Sequence, residues 1–256
     1  MTGRATSAAD QMHAIRPCGQ CMARPHGVCK AVTTADLPRL AEIAAIVQVA
    51  RGQTFIHQDA SAEHLYIVIL GSAKLYKRLR DGRRQIVGFG YANALLGLAA
   101  SDVYGFSAEA IEPIRMCRIP RQGLQPLMQQ CPEMEQQLLS IATDDLMVAQ
   151  EQMLLLGRKT AVERVASFLA LQMRGRRPAD ARWLRIHLPM SRNDIADYLG
   201  MTIETVSRSL AKLRDQGVIA VPNTREVAVL DHARLLAFAQ GALIQTPTAA
   251  INATMN

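Results

Sequence analysis

Residues 190–213 read MSRNDIADYLGMTIETVSRSLAKL, and this pattern predicts two short helices joined by a tight turn. Ser191 can cap the first helix, because Asp194 follows three residues later, as in a capping box. Gly200 permits the turn, and Thr202 can cap the second helix. The apolar residues that recur at helical spacing and would pack inward are Ile195, Leu199, Val206, Leu210 and Leu213. The stretch therefore predicts a helix-turn-helix.

The residues that follow this motif predict a β-hairpin. Gly217 ends the second helix, and two apolar segments, 218–221 and 226–230, flank the turn signal Pro222-Asn223. Such a hairpin beside a helix-turn-helix forms a wing. The C-terminal part of the chain is therefore expected to be a winged helix-turn-helix.

The positive charge of the chain is concentrated around the same motif. The 256 residues have a formal net charge of +7, and the pI is near 9.5. Between residues 157 and 217 there are twelve Lys and Arg against six Asp and Glu. A basic surface of this kind attracts an acidic partner, such as nucleic acid or an anionic membrane. Because the basic segment contains a helix-turn-helix, it favours double-stranded DNA.

Three side chains on the second predicted helix form its candidate base-reading face. Glu204, Ser207 and Arg208 are spaced i, i+3 and i+4, so they lie on one side of the helix. Arginine can donate to guanine and glutamate can accept from cytosine when such a helix enters the major groove. Thr205 and Lys212 are candidate phosphate contacts. The alternative is a solvated Glu204–Arg208 ion pair worth about 0.2–0.5 kcal/mol.

Residues 31–128 predict a β-rich domain. A helical stretch is expected at 35–49, before a run of short strands separated by glycines. Residues 65–70 are typical of a buried strand, and two further strands flank Asp81-Gly82, a dipeptide that suits a tight hairpin. The spacing indicates a small antiparallel barrel or jelly roll. Together with the helical segments, it predicts an α+β fold.

A long helix is expected from Pro132 to Gly157, because no glycine or proline interrupts it and most residues are good helix formers. Seven-residue spacing relates Met134, Ile141, Val148 and Leu155, with Leu138 at an intervening position. This spacing predicts a dimer seam. Asp145 would meet its symmetry mate there and weaken association. The alternative is an amphipathic helix packed on its own barrel. A seven-residue spacing that extends over fewer than four heptads does not distinguish such a helix from a dimer seam.

Three of the five cysteines, Cys18, Cys21 and Cys29, form a C-x2-C-x7-C pattern. No apolar run is long enough to span a bilayer and no secretory signal is evident, so we expect a cytoplasmic protein, in which disulfides are rare. Closely spaced thiols in such a protein suit a soft metal. A fourth ligand is needed, and the choices are Cys117 and Cys131. A Cys-Pro pair occurs in ferredoxin-type cluster runs, which favours Cys131 on pattern alone.

The order of barrel, long helix and winged helix-turn-helix resembles the CRP/FNR superfamily of bacterial transcription regulators over residues ~35–235. Residues 154–168, LLLGRKTAVERVASF, resemble the segment that joins the dimer helix to the DNA-binding domain. The spacing of Glu204, Ser207 and Arg208 is similar to that of FNR-type members. This resemblance implies an inverted repeat of TTGAT-like half-sites that is read by a homodimer.

The resemblance also implies a ligand set for the cysteines. The segment Met-Cys117-Arg-Ile-Pro is similar to the strand that carries the distant ligand in FNR members. Cys18, Cys21, Cys29 and Cys117 therefore look like the ligands of an oxygen-labile 4Fe-4S cluster, and Cys131 is left as a spare thiol. The second gap is longer than in the best-known FNR pattern, although other members have one like it. The alternatives are a structural zinc site and another redox or haem-linked signal.

Two further expectations come from the resemblance. Members that bind cyclic nucleotides use a Gly-Glu and an Arg-Ser pair, but Leu98 and Phe106 stand in place of the Glu and the Arg, so no cyclic nucleotide is expected. The hairpin between Lys77 and Arg84 is where the resemblance places a contact with RNA polymerase.

An enzyme is not expected, because the sequence shows no nucleotide-binding glycine loop, activated nucleophile or paired carboxylates.

The resemblance thus implies an anaerobic transcription regulator in which an oxygen-labile cluster controls dimerisation. Its segments are a cysteine-rich cluster-binding arm (1–30), a β-barrel sensor domain (31–130), a dimerisation helix (131–157), a winged helix-turn-helix DNA-binding domain (158–240) and a disordered tail (241–256).

Overall fold

The computed structural model describes residues 18–173 and 184–241, and the chain divides into two compact units between Ala149 and Gln150. The first seventeen residues of the predicted arm and residues 242–256 of the predicted tail lie outside the described residues. Among the helices of the described segments, none has the length and apolar character that a membrane span requires.

The described strands of the first unit form two four-stranded antiparallel sheets. They are β1 (Ala45–Val49), β2 (Thr54–Ile56), β3 (His64–Leu70), β4 (Ala73–Arg78), β5 (Arg84–Gly90), β6 (Leu95–Leu96), β7 (Ser107–Ala110) and β8 (Ile114–Pro120). One sheet has the order β1-β8-β3-β6, and the other has the order β2-β7-β4-β5. Two such sheets make the predicted jelly roll, and with the helices they confirm the α+β fold class.

Strands β3 and β8 form a wall between two hydrophobic cores. Tyr66, Val68 and Met116 belong to the core inside the barrel. Ile67 and Cys117 are paired across the two strands and belong to a second core, on the outer face of the sheet. This separation follows from the strand period, because successive side chains point to opposite faces.

Helical segments and the arm cover the outer core. They are a 3-10 helix (Gly27–Ala31), α1 (Leu37–Ile43), α2 (Arg121–Gln130) and the beginning of α3 (Pro132–Arg158). Val28 of the arm and Val32, just after it, are buried in the same core as Met134 and Leu138 of α3. The described part of the arm is therefore integrated into the first unit.

The prediction of a helix over residues 35–49 is wrong for its second half. Helix α1 ends at Ile43, and residues 45–49 form β1, which pairs with β8. Ala44 is already extended, with ψ of 136°. Ile46, Val47 and Val49 are β-branched and favour the strand.

The structure buries much of the predicted seam on α3 within the chain. The helix begins at Pro132 as predicted and ends at Arg158. Met134 and Leu138 are buried in the outer core, Ile141 packs against that core, and Leu155 is only 5% exposed. The first part of this side of α3 therefore packs on the chain's own barrel, which was the alternative expected from the sequence. Asp145 is exposed and Val148 is partly exposed.

The second unit contains the winged helix-turn-helix. Its elements are the end of α3, α4 (Ala161–Gln172), β9 (Leu184–His187), α5 (Arg192–Leu199), α6 (Ile203–Asp215), β10 (Ile219–Asn223), β11 (Glu226–Val229) and α7 (His232–Ala239). Strands β10 and β11 are the predicted wing, and β9, which the sequence pattern did not indicate, joins them in the order β10-β11-β9.

The predicted helix signals of the helix-turn-helix are all present. The Ser191 side chain accepts from the backbone N–H of Asp194, whose carboxylate accepts in return, which completes a capping box. Thr202 caps α6 by accepting from the N–H of Thr205. Gly200 has φ of 60° in the left-handed region, where glycine carries no Cβ penalty.

Candidate metal centre and nucleic-acid interface

Four of the five cysteines line one cavity of the first unit. Cys18, Cys21, Cys29 and Cys117 all face it, and all are free thiols. Apart from Arg24, the other lining residues are apolar: Ala23, Leu37, Leu40, Ala41, Ala44, Ile46 and Ile67. The fold thus brings together the three arm cysteines and the strand cysteine that the resemblance implied as a ligand set.

Each thiol is positioned by its own local structure. A turn joins Cys18 and Cys21, since the N–H of Cys21 donates to the Cys18 carbonyl at 3.3 Å. Cys29 lies in the 3-10 helix, which Gly27 enters with φ of +51°. Cys117 lies in the middle of β8, paired with Ile46 on one side and Ile67 on the other.

Arg24 is a residue of this cavity that the sequence analysis missed. Its guanidinium donates from Nη1 to the Cys29 carbonyl at 2.7 Å and from Nη2 to the Val32 carbonyl at 2.6 Å. These bonds fix the seven-residue segment between Cys21 and Cys29 against the backbone that follows it. A sequence signal existed, because Arg24 is the only Lys, Arg, Asp or Glu between Cys18 and Cys29.

Burial controls the acidity of these thiols. It raises the pKa of Cys29 to about 11 and that of Cys117 to about 12, and it also raises the pKa of Cys18. The neighbouring thiols raise these pKa values further, while the charge of Arg24 lowers those of Cys18 and Cys29. Thiols with such values are protonated at neutral pH in the absence of a cation, so metal binding would have to release protons.

The chemistry of the donor set fits an iron–sulfur cluster, since thiolates are the usual ligands of such clusters. Within residues 18–173 and 184–241, no three His, Cys, Asp or Glu side chains are placed to hold a single metal ion in the present geometry. The ligand set therefore stays a prediction. His26 is exposed at the surface of the arm.

Cys131 lies outside the cavity lining. It is 1% exposed, directly follows the last residue of α2, and its thiol donates to the Ala31 carbonyl at 3.4 Å. It belongs to the outer core, where it packs as a small apolar residue. The structure thus places Cys117, and not Cys131, with the three arm cysteines.

The candidate base-reading residues are exposed on α6. Glu204, Ser207 and Arg208 all lie on its solvent side, and Val206 and Leu210 are buried on the other side. Hydrogen bonds from its own backbone N–H and from Thr202 lower the pKa of Glu204, and the charge of Arg208 adds to this. The carboxylate therefore stays ionised and can only accept hydrogen bonds at neutral pH.

The two predicted phosphate contacts also lie on α6. Thr205 is partly exposed, and its hydroxyl lies 3.0 Å from that of Thr202. Lys212 is exposed in the last turn. Ser207 currently donates from Oγ to the Ile203 carbonyl at 2.9 Å, so it must rotate to reach a base. The DNA roles of all five residues stay predictions.

Arg192 is a second residue that the sequence analysis missed. It is the first residue of α5, and its Nη1 atom is buried with no hydrogen-bond partner among the described residues. Leaving such a donor unsatisfied costs about 1–3 kcal/mol or more.

A different side of α3 presents an apolar stripe. Leu139, Leu146 and Met153 are 68%, 57% and 65% exposed and follow one another at seven-residue intervals, with Ala142 and Ala149 between them. This alternating spacing of three and four is the pattern of a coiled-coil seam. We call these five residues the exposed heptad face. Ile141 and Val148 follow Leu139 and Leu146 by two positions. In a helix with 3.6 residues per turn, they therefore point away from these two leucines, to nearly the opposite side.

Comparisons with known proteins agree with this architecture. A family model described as a Crp-like helix-turn-helix domain matches residues 163–238, and one described as a cyclic nucleotide-binding domain matches residues 46–131. The transcriptional activator protein FnrL of Cereibacter sphaeroides is 37% identical over 226 residues, which are 87% of this chain and 91% of the relative.

Two further matches are a sequence relative and a solved structure. The nitrogen fixation regulation protein FixK of Bradyrhizobium diazoefficiens is 36% identical over 228 residues, which are 87% of this chain and 93% of the relative. The solved structure of FixK2 from Bradyrhizobium japonicum matches with a TM-score of 0.71 and 35% identity, and the match covers 77% of this chain and 97% of that one.

Proposed function

The chain belongs to the CRP/FNR family of DNA-binding transcription activators, and we propose that it is an FNR-type anaerobic regulator whose 4Fe-4S cluster controls dimerisation. The observation that carries this proposal is the single cavity shared by Cys18, Cys21, Cys29 and Cys117. These four would be the ligands, and the protein would act in the cytoplasm.

The cavity is suited to couple a ligand to the dimer helix. When bound, the cluster would supply an oxygen-sensitive cross-link between the arm and β8. Arm residues Val28 and Cys29 share the outer core with Met134 and Leu138 at the beginning of α3. Release of the arm would therefore open the core against which α3 packs.

The dimer would form along the exposed heptad face. Leu139, Leu146 and Met153 would insert between the helices of two copies, and Ala142 and Ala149 would let the helices approach closely. Two copies would read the two half-sites of a TTGAT-type inverted repeat. Loss of the dimer removes the avidity of two readers, which is on the order of 10²–10⁴ in affinity.

The deciding experiment is chemical analysis of anaerobically purified protein. We expect iron and acid-labile sulfide in equal amounts, a dimer, and tight binding to a TTGAT-type palindrome, with all three lost in air. Zinc without sulfide would replace the cluster by a structural zinc site. Dimerisation and DNA binding that are unchanged in air would contradict oxygen control.

Base reading by Arg208 has a specific consequence. Arg208→Ala should weaken binding to the palindrome by about 1–3 kcal/mol per half-site and reduce discrimination at one base pair, because a bidentate contact to guanine is lost. Lys212→Ala is the matched control. It should weaken binding to all sequences equally and reduce the salt dependence, as expected for a phosphate contact.

Fluorescence anisotropy with the palindrome and with single-base variants measures both effects. Equal losses on every sequence in Arg208→Ala would show that Arg208 contacts phosphate and reads no base.

The barrel interior supports the proposal that cyclic nucleotide is not the signal. Tyr66, Tyr104 and Met116 are buried there and fill space between the sheets. Leu98 is exposed and Phe106 packs against this core, so neither offers a charged group to a phosphate. A buried phosphate without such a partner is costly.

RNA polymerase is the further proposed partner, and the hairpin between β4 and β5 is its proposed contact. Lys77, Arg80 and Arg84 are exposed on this hairpin, and Gly82 provides its turn with φ of +87°. Arg83 forms a surface ion pair with Asp81 at 2.7 Å. The hairpin therefore presents a basic, solvent-exposed tip.

A further inference from the structure

Within the second unit, the end of α3 is hydrogen-bonded to the helix-turn-helix. Gln152 donates from Nε2 to the Tyr198 carbonyl at 2.7 Å. Arg164 donates from Nη1 to the Leu199 carbonyl at 3.0 Å and from Nη2 to the Leu156 carbonyl at 2.8 Å. Two side chains thus link the last turns of α3 to the last turn of α5.

The acceptors explain why an arginine occupies this place. The last carbonyls of a helix have no partner within the helix, and they form the negative end of its dipole. Arg164 satisfies such carbonyls at the ends of α3 and α5, and its Nε donates to the Lys159 carbonyl at 3.0 Å as well. The planar guanidinium holds all three acceptors in one fixed geometry.

The turn of the helix-turn-helix is packed against the same point. A Cβ on Gly200 would lie 3.1 Å from Cδ2 of Leu156 and 3.7 Å from Nη1 of Arg164. Gly200 therefore serves both the left-handed turn and the close approach of α3. This contact and the hydrogen bonds together restrict rotation of the helix-turn-helix about the end of α3.

We infer that Gln152 and Arg164 are positioning residues that fix the direction of α6 relative to the dimer-forming end of α3, and so set the half-site spacing that a dimer accepts. Met153, the last residue of the exposed heptad face, is the direct neighbour of Gln152. A helix-turn-helix held at this point is oriented with respect to Met153, the part of the exposed heptad face that lies in the second unit. In a dimer, symmetry then fixes the distance and rotation between the two readers.

Spacing is a sensitive measure of this orientation. One added base pair moves a half-site along the DNA and rotates it by about 35°, since a turn contains 10–10.5 base pairs. A dimer whose two helix-turn-helix motifs are held rigidly should bind such a shifted site less tightly. A dimer whose helix-turn-helix motifs can rotate should tolerate the shift. The inference rests on the proposed dimeric DNA reading and is independent of the cluster.

The test compares Arg164→Met and Gln152→Leu with Arg158→Met, which removes an exposed cation from the same helix end. Binding of the full chain is measured by anisotropy on one TTGAT half-site and on inverted repeats. The spacers of these repeats increase by single base pairs over about one helical turn. We expect Arg164→Met and Gln152→Leu to bind the half-site within about twofold of wild type, to lose about 10–100-fold on the best-spaced repeat, and to discriminate less between spacings.

Arg158→Met should match wild type on every probe. A parallel loss on the half-site and the repeats would show that Arg164 and Gln152 only stabilise the domain, which overturns the inference. Full spacing discrimination in both Arg164→Met and Gln152→Leu would also overturn it. A wild-type protein that accepts all spacings equally would contradict dimeric DNA reading itself, and with it the positioning role of Gln152 and Arg164.

Discussion

Cys117→Ser should abolish cluster loading and lower the affinity of the anaerobic protein for palindromic DNA by about 10²–10⁴-fold. Cys117 is the only cavity thiol that β8 supplies, while the other three belong to the arm. Without it, the arm would lose its link to the barrel wall. Iron and sulfide content, sedimentation under nitrogen and anisotropy on the palindrome measure the three consequences.

Cys131→Ser is the matched control for this variant. Cys131 is also buried in the outer core, but its thiol donates to the Ala31 carbonyl, a bond that a serine hydroxyl can form as well. This variant should retain the cluster, the dimer and DNA binding. If Cys131→Ser lost the cluster and Cys117→Ser retained it, the ligand assignment would be reversed.

Leu146→Glu should produce a monomer even in fully loaded anaerobic protein. Leu146 is 57% exposed in the single chain and lies at the centre of the exposed heptad face. Burial of a leucine in a dimer is worth about 1.5–3 kcal/mol per copy, and two carboxylates would replace the pair. The dimer dissociation constant should therefore increase at least ~10²-fold, with a matching loss of palindrome affinity. Analytical ultracentrifugation measures this constant directly.

Ser140→Glu introduces the same charge at an exposed position on another face of the helix. It should leave the dimer intact. The cluster content of Leu146→Glu should equal that of wild type, because Leu146 does not line the cavity. A dimeric Leu146→Glu protein would mean that α3 does not pair along this face.

The helix-turn-helix could be predicted almost residue by residue, because its signals are local. Ser191 and Thr202 cap helices through residues only three positions away, and Gly200 is required by its own backbone angle. The missing third strand, β9, has no such local signal. It pairs with β11, whose residues lie about forty positions later in the chain.

The dimer seam could not be chosen from sequence, since α3 carries two heptad patterns. The pattern that includes Met134, Ile141 and Leu155 packs largely within the chain, although it also contains Asp145 and Gln152. The pattern whose large residues are left exposed, the exposed heptad face, has no polar residue. Hydrophobicity identifies a face that will be buried, but not which partner buries it. Only the position of the barrel core resolves that choice.

The sequence pattern alone also identified only part of the cysteine cavity. The arm pattern was visible in the sequence, whereas the choice of Cys117 over Cys131 depended on family resemblance. Arg24 was missed although it is the only charged residue between Cys18 and Cys29, because the sequence does not show which backbone carbonyls its guanidinium satisfies.

Strand β8 gives the chain an unusual sensitivity to insertions and deletions. Met116 faces the barrel interior and Cys117 the arm, only because neighbouring residues alternate across the sheet. A shift of one residue in the register of β8 would turn Cys117 into the barrel and leave Met116 facing the three arm thiols. Substitutions at the exposed positions Arg115 and Arg118 should therefore be tolerated, whereas an insertion or deletion that changes the odd or even parity of the pairing between β8 and β3 should not.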